Sequence, residues 1–325
     1  MPLKRKIDAA AVAARMTLAV ATNTGNVPAD YKSMVLIEPT SVCNLACPLC
    51  PTGTKTLERE NKFIDMDVFD RILEVTAPVA EGYIINLFGE PTFHPRFSDI
   101  LAKTSRLPTW LSTNLSYGEE AVREMAHWPH LRVICSVDTL DPEKYSEYRV
   151  GGNYDTVMRN LEILSKGQCQ VYPQFLVSGD AEDEAAYVAF AKRFDIPVAN
   201  VLLKAKFQSF RLDETDKPVS GVCHSCYTGI YFNCDGYLVP CCNNVRRELY
   251  IHHISEINSI DDIYRGERVR NIRRELVRNK NRFKSCGRCP GLGFWDTKFV
   301  EYLQCARSLL PGGGAKRESP QNIAF

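Results

Sequence analysis

Glu38-Pro-Thr-Ser-Val-Cys43-Asn-Leu-Ala-Cys47-Pro-Leu-Cys50-Pro-Thr-Gly53 is the stretch whose reading decides the fold, because it directly follows the first apolar run, Met34–Pro39. Three cysteines within eight residues are too closely spaced for relaxed disulfides, yet all three can reach one small inorganic centre. Three ligands leave a coordination position open. A structural zinc site is normally closed by four protein ligands, so it suits this pattern poorly. A 4Fe–4S cluster with one iron free to bind a substrate or cofactor suits it well. The plainer alternative is a zinc knuckle that borrows its fourth ligand from elsewhere.

Working outward, five more apolar runs follow: Tyr83–Gly89, Thr109–Asn114, Leu131–Asp138, Gln170–Val177 and Asn200–Ala205. Helical patterns lie between them at 66–80, 97–106, 118–127, 141–166 and 182–194, with Asp67 and Asp141-Pro142 as start signals. Strand–helix alternation implies a parallel sheet with helices outside. Six units are too few for a closed eight-stranded barrel, so the fold class is α/β, an open, partial (β/α)6 TIM-like barrel. In such barrels the loops after the strand C-termini form the active face, and the three-cysteine loop is one of them.

The chain has 325 residues, 40 Lys+Arg against 39 Asp+Glu, a formal charge of +1, 45% hydrophobic and 24% charged residues. That balance excludes global disorder and predicts two domains, or a barrel with an appendage. Near-neutrality gives no reason to expect nucleic acid or an anionic membrane as partner, and no apolar run is long enough to cross a bilayer. Ala9–Ala21 reads as an amphipathic helix, since Asp8 and Arg15 spoil a signal peptide. Thirteen cysteines at metal-ligand spacings point to the reducing cytoplasm. The expected division is a helical extension at 1–33, the barrel at 34–212, a cysteine-rich module at 213–307 and a mobile tail at 308–325.

Cys43-x3-Cys47-x2-Cys50 after the first strand resembles the signature of the radical S-adenosylmethionine (SAM) family. Further pieces fall in order at later strand ends. Phe88-Gly89-Glu90-Pro91, ending the second strand, resembles that family's Gly-Gly-Glu-Pro motif with Phe in place of the first Gly. The resemblance makes Glu90 the candidate contact for the SAM amino group. Ser112-Thr113-Asn114 ends the third strand and adds Asn114 as a cofactor contact. Ser136-Val-Asp138 ends the fourth and is similar to the family's ribose-contacting segment. Arg149, before Gly151-Gly152, resembles the arginine that pairs with the SAM carboxylate, which a bidentate, permanently charged guanidinium suits. Taken singly, Glu90 reads as a helix-start carboxylate, Ser136 and Asp138 as caps, Arg149 as a surface charge, and His94 as a loop residue. Jointly, in order and on one barrel face, the functional reading is preferred.

Beyond Leu212 cysteines cluster at 223, 226, 234, 241, 242, 286 and 289. Ile230–Asn233 and Tyr237–Pro240 flank Asp235-Gly236, a strong hairpin signal, and Ser259–Asn279 reads as one or two helices. From Cys223 to about Trp295 the segment resembles the auxiliary iron–sulfur module called SPASM, or its shortened form, twitch. Only Cys305 follows Cys289, so one auxiliary cluster is expected, the twitch form. Cys223, Cys241, Cys286 and Cys289 are the favoured ligands, with Cys226 an alternative to Cys223; a four-cysteine zinc ribbon is the plainer rival. Cys226 and Cys234 become candidate hydrogen-atom donors, although most free cysteines, Cys135 and Cys169 among them, are small buried hydrophobes.

The resemblance implies two 4Fe–4S clusters, one binding SAM and one auxiliary, and reductive cleavage of SAM to a 5′-deoxyadenosyl radical that abstracts hydrogen from substrate. It implies a flavodoxin- or ferredoxin-type electron donor. Only about thirty residues precede the first strand, too few for a leader-peptide domain. The favoured substrate is therefore a small carbohydrate-like molecule: an aminocyclitol, aminoglycoside or nucleoside sugar, dehydrogenated or epimerised in natural-product biosynthesis. A peptide-modifying maturase is the enzymatic alternative and a metal-stabilised scaffold the non-enzymatic one.

Overall fold

The computed structural model describes residues 14–177, 184–205 and 225–287, together with Ala11, Cys223 and Cys289. The boundary near Leu212, Trp295, Cys305 and the tail from Ser308 lie outside the described residues. Six strands, β1 (Ser33–Ile37), β2 (Ala80–Ile85), β3 (Thr109–Thr113), β4 (Leu131–Asp138), β5 (Gln170–Val177) and β6 (Leu202–Ala205), run parallel in sequence order. The open partial barrel expected from the strand–helix alternation is the fold observed.

The sheet does not stop at β1. A short strand β7 (Ile230–Phe232) pairs with β1 in parallel, Val35 opposite Ile230 and Ile37 opposite Phe232. Strand β8 (Leu238–Val239) then turns back antiparallel on β7, so that the order is β6-β5-β4-β3-β2-β1-β7-β8. The hairpin turn at Asp235-Gly236 needs a left-handed residue, which Gly236 supplies at φ +85°. Barrel and cysteine-rich module therefore share one sheet.

Alternation sorts each strand into two faces. Leu111, Val133, Cys135, Val171 and Phe175 join the core, with Leu203 packed against it. On the helical side, Phe175 meets Tyr187 and Phe190 of the helix at Glu184–Arg193. The intervening residues Trp110, Ser112, Ile134, Ser136, Tyr172, Gln174 and Lys204 face the concave interior. Cys135 and Cys169 are buried, as expected of small hydrophobes.

Several boundaries differ from the expectation, each for a visible reason. Strand β2 ends at Ile85 rather than Gly89, because Phe88 N–H donates to the Glu38 carboxylate at 3.2 Å instead of continuing the ladder. The first barrel helix, Met66–Thr76, is capped by Asp65, which accepts from Asp67 N–H at 2.8 Å, so Asp67 lies inside it. The 141–166 pattern is two helices, Pro142–Tyr148 and Tyr154–Ser165. Gly151, at φ +90°, breaks it, and Asn153 caps the second helix by accepting from Thr156 N–H at 2.8 Å. Strand β6 starts two residues late, after a single 3-10 turn at Val198–Asn200. Ser259–Asn279 also divides, into Ile260–Arg265 and Glu267–Asn279.

The described part of the N-terminal helix, residues 14–21, buries Met16 and leaves Leu18 exposed. The segment after it lies on the module: Val27 N–H donates to Tyr264 O at 3.2 Å and Arg274 Nε to Thr24 O at 3.1 Å. No helix among the described residues is long and apolar enough to cross a membrane.

Candidate active site

The Cys43–Cys50 loop rises from the C-terminal end of β1 and is shaped by two glycines. A Cβ on Gly89 would lie 2.1 Å from Thr40 O, and one on Gly53 would lie 2.5 Å from both Cys47 N and Cys47 O. These close approaches let the loop fold back on itself and let the Phe88–Glu90 segment lie flat against it. Glu90 N–H donates to Val42 O at 2.9 Å, and Ala46 N–H to Val150 O at 2.8 Å, tying the loop to both neighbouring segments.

The thiols of Cys43, Cys47 and Cys50 are within electrostatic reach of one another. Burial pushes the Cys43 thiol up to about 11 and raises Cys47 as well, the latter against the pull of the Arg149 guanidinium. Such thiols stay protonated until metal takes the proton's place. Among the described residues, no three His, Cys, Asp or Glu side chains are gathered closely enough to hold a single metal ion.

Arg149 follows the Pro142–Tyr148 helix and reaches back over the loop. Its Nη1 lies 3.9 Å from Cys47 Sγ, and its Nε is ion-paired with Asp138. Asp138 ends β4 at φ +65°, just past an irregularity in the β4–β5 register. A non-glycine residue held there is strained, and such strain concentrates at working sites. Its Oδ1 is buried and has no hydrogen-bond partner among the described residues. A permanently charged guanidinium beside the triad and an orphaned carboxylate oxygen behind it fit an amino acid carboxylate and a ribose hydroxyl respectively, so these residues fit SAM.

Glu90 is differently placed. It caps the short Pro91–Phe93 turn, and its buried carboxylate accepts from Thr92 Oγ1 at 2.9 Å, Thr113 Oγ1 at 2.8 Å and Asn114 N–H at 2.8 Å. It binds the second strand's loop to the end of the third. Asn114 Nδ2 donates to Asn44 Oδ1 at 2.9 Å and lies 3.8 Å from Cys43 Sγ. Ser136 lies on the inner face opposite Gln174.

Three charged residues here escaped the sequence reading. Glu38 and Arg59 form a fully buried pair, with Arg59 Nη2 2.6 Å from both carboxylate oxygens. Glu38 also accepts from Phe88 N–H at 3.2 Å and Cys234 N–H at 2.9 Å, so one carboxylate joins β1, the Phe88 loop and the module hairpin. A glutamate closing an apolar strand was the available signal. Lys204 gave none beyond its place near the end of β6.

The module gathers a second set of thiols. Cys223, Cys241 and Cys286 lie within mutual electrostatic reach, with Cys289 beside Cys286 and Cys242. Burial pushes Cys286 up to about 12 and Cys242 up to about 11. Lys280 fixes the last pair, its Nζ donating to Cys289 O at 2.7 Å and Cys286 O at 3.3 Å. Cys226 lies in this group: its Sγ donates to Cys223 O at 3.6 Å, and a hydrogen bond from its thiol draws the Cys223 thiol downward. Four of these thiols suffice for a closed site. Cys234 is elsewhere, with Sγ 3.5 Å from Ser41 Oγ in the barrel–module contact and burial pushing it up to about 12.

Two family models match the chain: the radical SAM superfamily over residues 37–191 and an iron–sulfur cluster-binding domain, SPASM, over residues 223–290. A GTP 3',8-cyclase from Yersinia pestis is 28% identical over 131 residues, 38% of this chain and 39% of that protein. The chain thus spans about two fifths of the length of that curated relative. The structure of Streptococcus suis SuiB bound to precursor peptide SuiA is similar with a TM-score of 0.62 at 15% identity, covering 80% of this chain and 70% of that one. Native anSMEcpe with bound AdoMet is similar with a TM-score of 0.56 at 14% identity, covering 85% of this chain and 96% of that one. At these identities the two structures share a fold with this chain.

Proposed function

The chain belongs to the radical SAM superfamily and carries a SPASM iron–sulfur domain behind its barrel, and from that premise we propose an oxidoreductase or epimerase acting on a small carbohydrate-like substrate. Its cofactors are SAM and 4Fe–4S clusters. When bound, they supply one-electron chemistry, the reductive cleavage of a sulfonium and removal of hydrogen from an unactivated C–H bond. Cys43, Cys47 and Cys50 hold the SAM-binding cluster. Arg149 grips the SAM carboxylate, and Asp138 presents Oδ1 to its ribose. Asn114 and Ser136 line the same end of the sheet, and Glu90 holds their loops in register. Cys223, Cys241, Cys286 and Cys289 hold a single auxiliary cluster, the twitch arrangement.

The observation that carries the reading is the approach of Arg149 to Cys47 at 3.9 Å, with Asp138 behind it. The substrate class rests on the inner face. Trp110 and Tyr172 pack there with ring centroids 4.8 Å apart, and Ser112, Ser136, Gln174 and Lys204 lie nearer the strand ends. Aromatic faces below and hydroxyl, amide and ammonium groups above suit a polyhydroxylated ring. Similarity to a cyclase whose name specifies GTP favours a nucleoside sugar within that class. A flavodoxin- or ferredoxin-type protein would supply the electron.

The test is anaerobic reconstitution followed by SAM, dithionite and an assay for 5′-deoxyadenosine. Changing Cys43, Cys47 and Cys50 together to Ala should abolish SAM cleavage and leave about four irons, those of the auxiliary cluster. Cleavage retained in the triple variant overturns the assignment. With substrate turnover in deuterated water, deuterium in the product marks epimerisation, and an oxidised product without it marks dehydrogenation. A peptide product would transfer the chain to the maturases.

A further inference from the structure

Two buried cations stand beside the module thiols. Arg273 lies within the helix Glu267–Asn279, and Lys280 follows directly at its end. Each is only 4% exposed, and burial of that degree is costly for a cation unless countercharge is supplied. Among the described residues, however, all their hydrogen bonds go to backbone carbonyls. Lys280 Nζ donates to Cys289 O at 2.7 Å and to Cys286 O at 3.3 Å. Arg273 donates to Cys226 O at 2.7 Å, Tyr264 O at 2.8 Å, and Gly25 O and Ile263 O at 3.1 Å. The exposed arginines nearby differ: Arg265 pairs with Asp261, and Arg282 with Glu275. What the two buried cations have close by is sulfur. Lys280 opposes the burial that pushes the Cys286 thiol up, and Arg273 opposes the Cys223 hydrogen bond and the burial that push Cys226 up. The fold therefore brings two cations to the thiol group and leaves their charge to be balanced by thiolates.

We propose that Lys280 makes the auxiliary cluster easier to reduce, its buried charge standing at the Cys286–Cys289 end of the site while Arg273 acts in the same sense at the Cys226 end. The inference rests on the single auxiliary cluster of the proposed function and deepens it by assigning the residues that set its potential. One-electron reduction adds a negative charge to a centre already held by thiolates. A fixed cation stabilises that added charge, and does so more strongly where burial keeps water away. The ammonium reaches the carbonyls of two ligands and not a ligating sulfur, so Lys280 is a positioning residue that acts through the loop it holds. Lys280 is the cleaner of the two to test, because Arg273 also ties the N-terminal segment to the module.

The experiment is a redox titration followed by electron paramagnetic resonance. It uses the reconstituted full chain with Cys43, Cys47 and Cys50 changed to Ala, so that one cluster gives the signal. Lys280→Met in that background should keep about four irons and move the midpoint to more negative potential. At a fixed poise the reduced-to-oxidised ratio should fall about tenfold, which is about 59 mV for a one-electron couple. Lys280→Arg, which keeps the charge, should hold that ratio within about threefold. Lys280→Gln keeps an N–H donor without the charge, so it should shift as Lys280→Met does, and it replaces that variant where Met does not hold iron. A midpoint unchanged in either neutral variant overturns the proposal, as does a full shift in Lys280→Arg, which would make the effect one of geometry. Loss of iron from both neutral variants overturns it too, since Lys280 would then hold the loop and nothing more. No iron in the triple-alanine protein sinks the auxiliary cluster itself, whereas iron at an unchanged potential sinks this inference alone.

Discussion

His94 shows how neighbours fix the chemistry of a single side chain. Its Nε2 lies 3.0 Å from Ile64 O, and its Nδ1 is 3.0 Å from Arg96 N–H, so the ring must be neutral, donating from Nε2 and accepting at Nδ1. Burial accordingly holds it below the ordinary 6.5. As pH falls below about 6.5, the unfolded chain takes up this proton before the folded one does, and stability declines until the folded value is reached. The thermal midpoint should therefore fall between pH 7 and pH 5 more steeply in the wild type than in His94→Gln, which keeps the donor to Ile64. Parallel slopes would show that His94 titrates without penalty. A loop residue is how the sequence read His94, and that is where it lies; its tautomer depended on two backbone groups that no spacing reveals. Glu90 was legible as a motif residue, yet its partners Thr92, Thr113 and Asn114 became apparent only once the second and third strands were side by side.

Among the elements, the three-cysteine loop was the most legible and the most dependent on others. Its cysteine spacing is local, whereas its conformation is imposed by contacts with the segments at Phe88–Glu90 and Val150. Gly89 is the tightest of these, because a methyl there would meet Thr40 O at 2.1 Å and push the loop outward. Gly89→Ala should lose the SAM-binding cluster selectively, leaving about four irons of an expected eight after reconstitution and no SAM binding. A full complement of about eight irons in that variant would show that the loop tolerates the displacement. The strand ends were read to within a few residues, with the largest error at the end of β2, where a side chain captures the backbone. Glu38 does so by accepting from Phe88 N–H at 3.2 Å.

Across the whole molecule, the module is joined to the barrel and to the N-terminal segment by backbone pairing and by buried charged side chains. Parallel pairing of β1 with β7 continues the sheet, and Arg273, itself buried, donates to Cys226 O at 2.7 Å, Tyr264 O at 2.8 Å, and Gly25 O and Ile263 O at 3.1 Å. One guanidinium thus ties the N-terminal segment to two parts of the module. The Glu38–Arg59 pair does the same between β1, the cysteine loop and the hairpin, with both side chains at 1% exposure or less. Breaking it strands a buried carboxylate, so Arg59→Met should cost about 3–5 kcal/mol in guanidinium unfolding, and adding Glu38→Gln should restore part of the loss. A cost below about 1 kcal/mol would show that the contact relaxes or admits water.

The sequence by itself determined what is local or periodic in this protein. Strand–helix alternation specified the parallel barrel, Asp235-Gly236 the hairpin, and Cys43-x3-Cys47-x2-Cys50 the thiol-bearing loop, because each signal is local in the chain. Only the tertiary structure decided which distant groups meet. It carried the hairpin onto β1 as a seventh strand, buried Glu38 against Arg59, moved Cys234 away from the other module cysteines and turned Lys204 toward Asp138, Arg149 and Cys242. The reason is physical: a buried charge is stable only where other elements bring it compensating charges and donors, and those partners lie tens to hundreds of residues away in sequence.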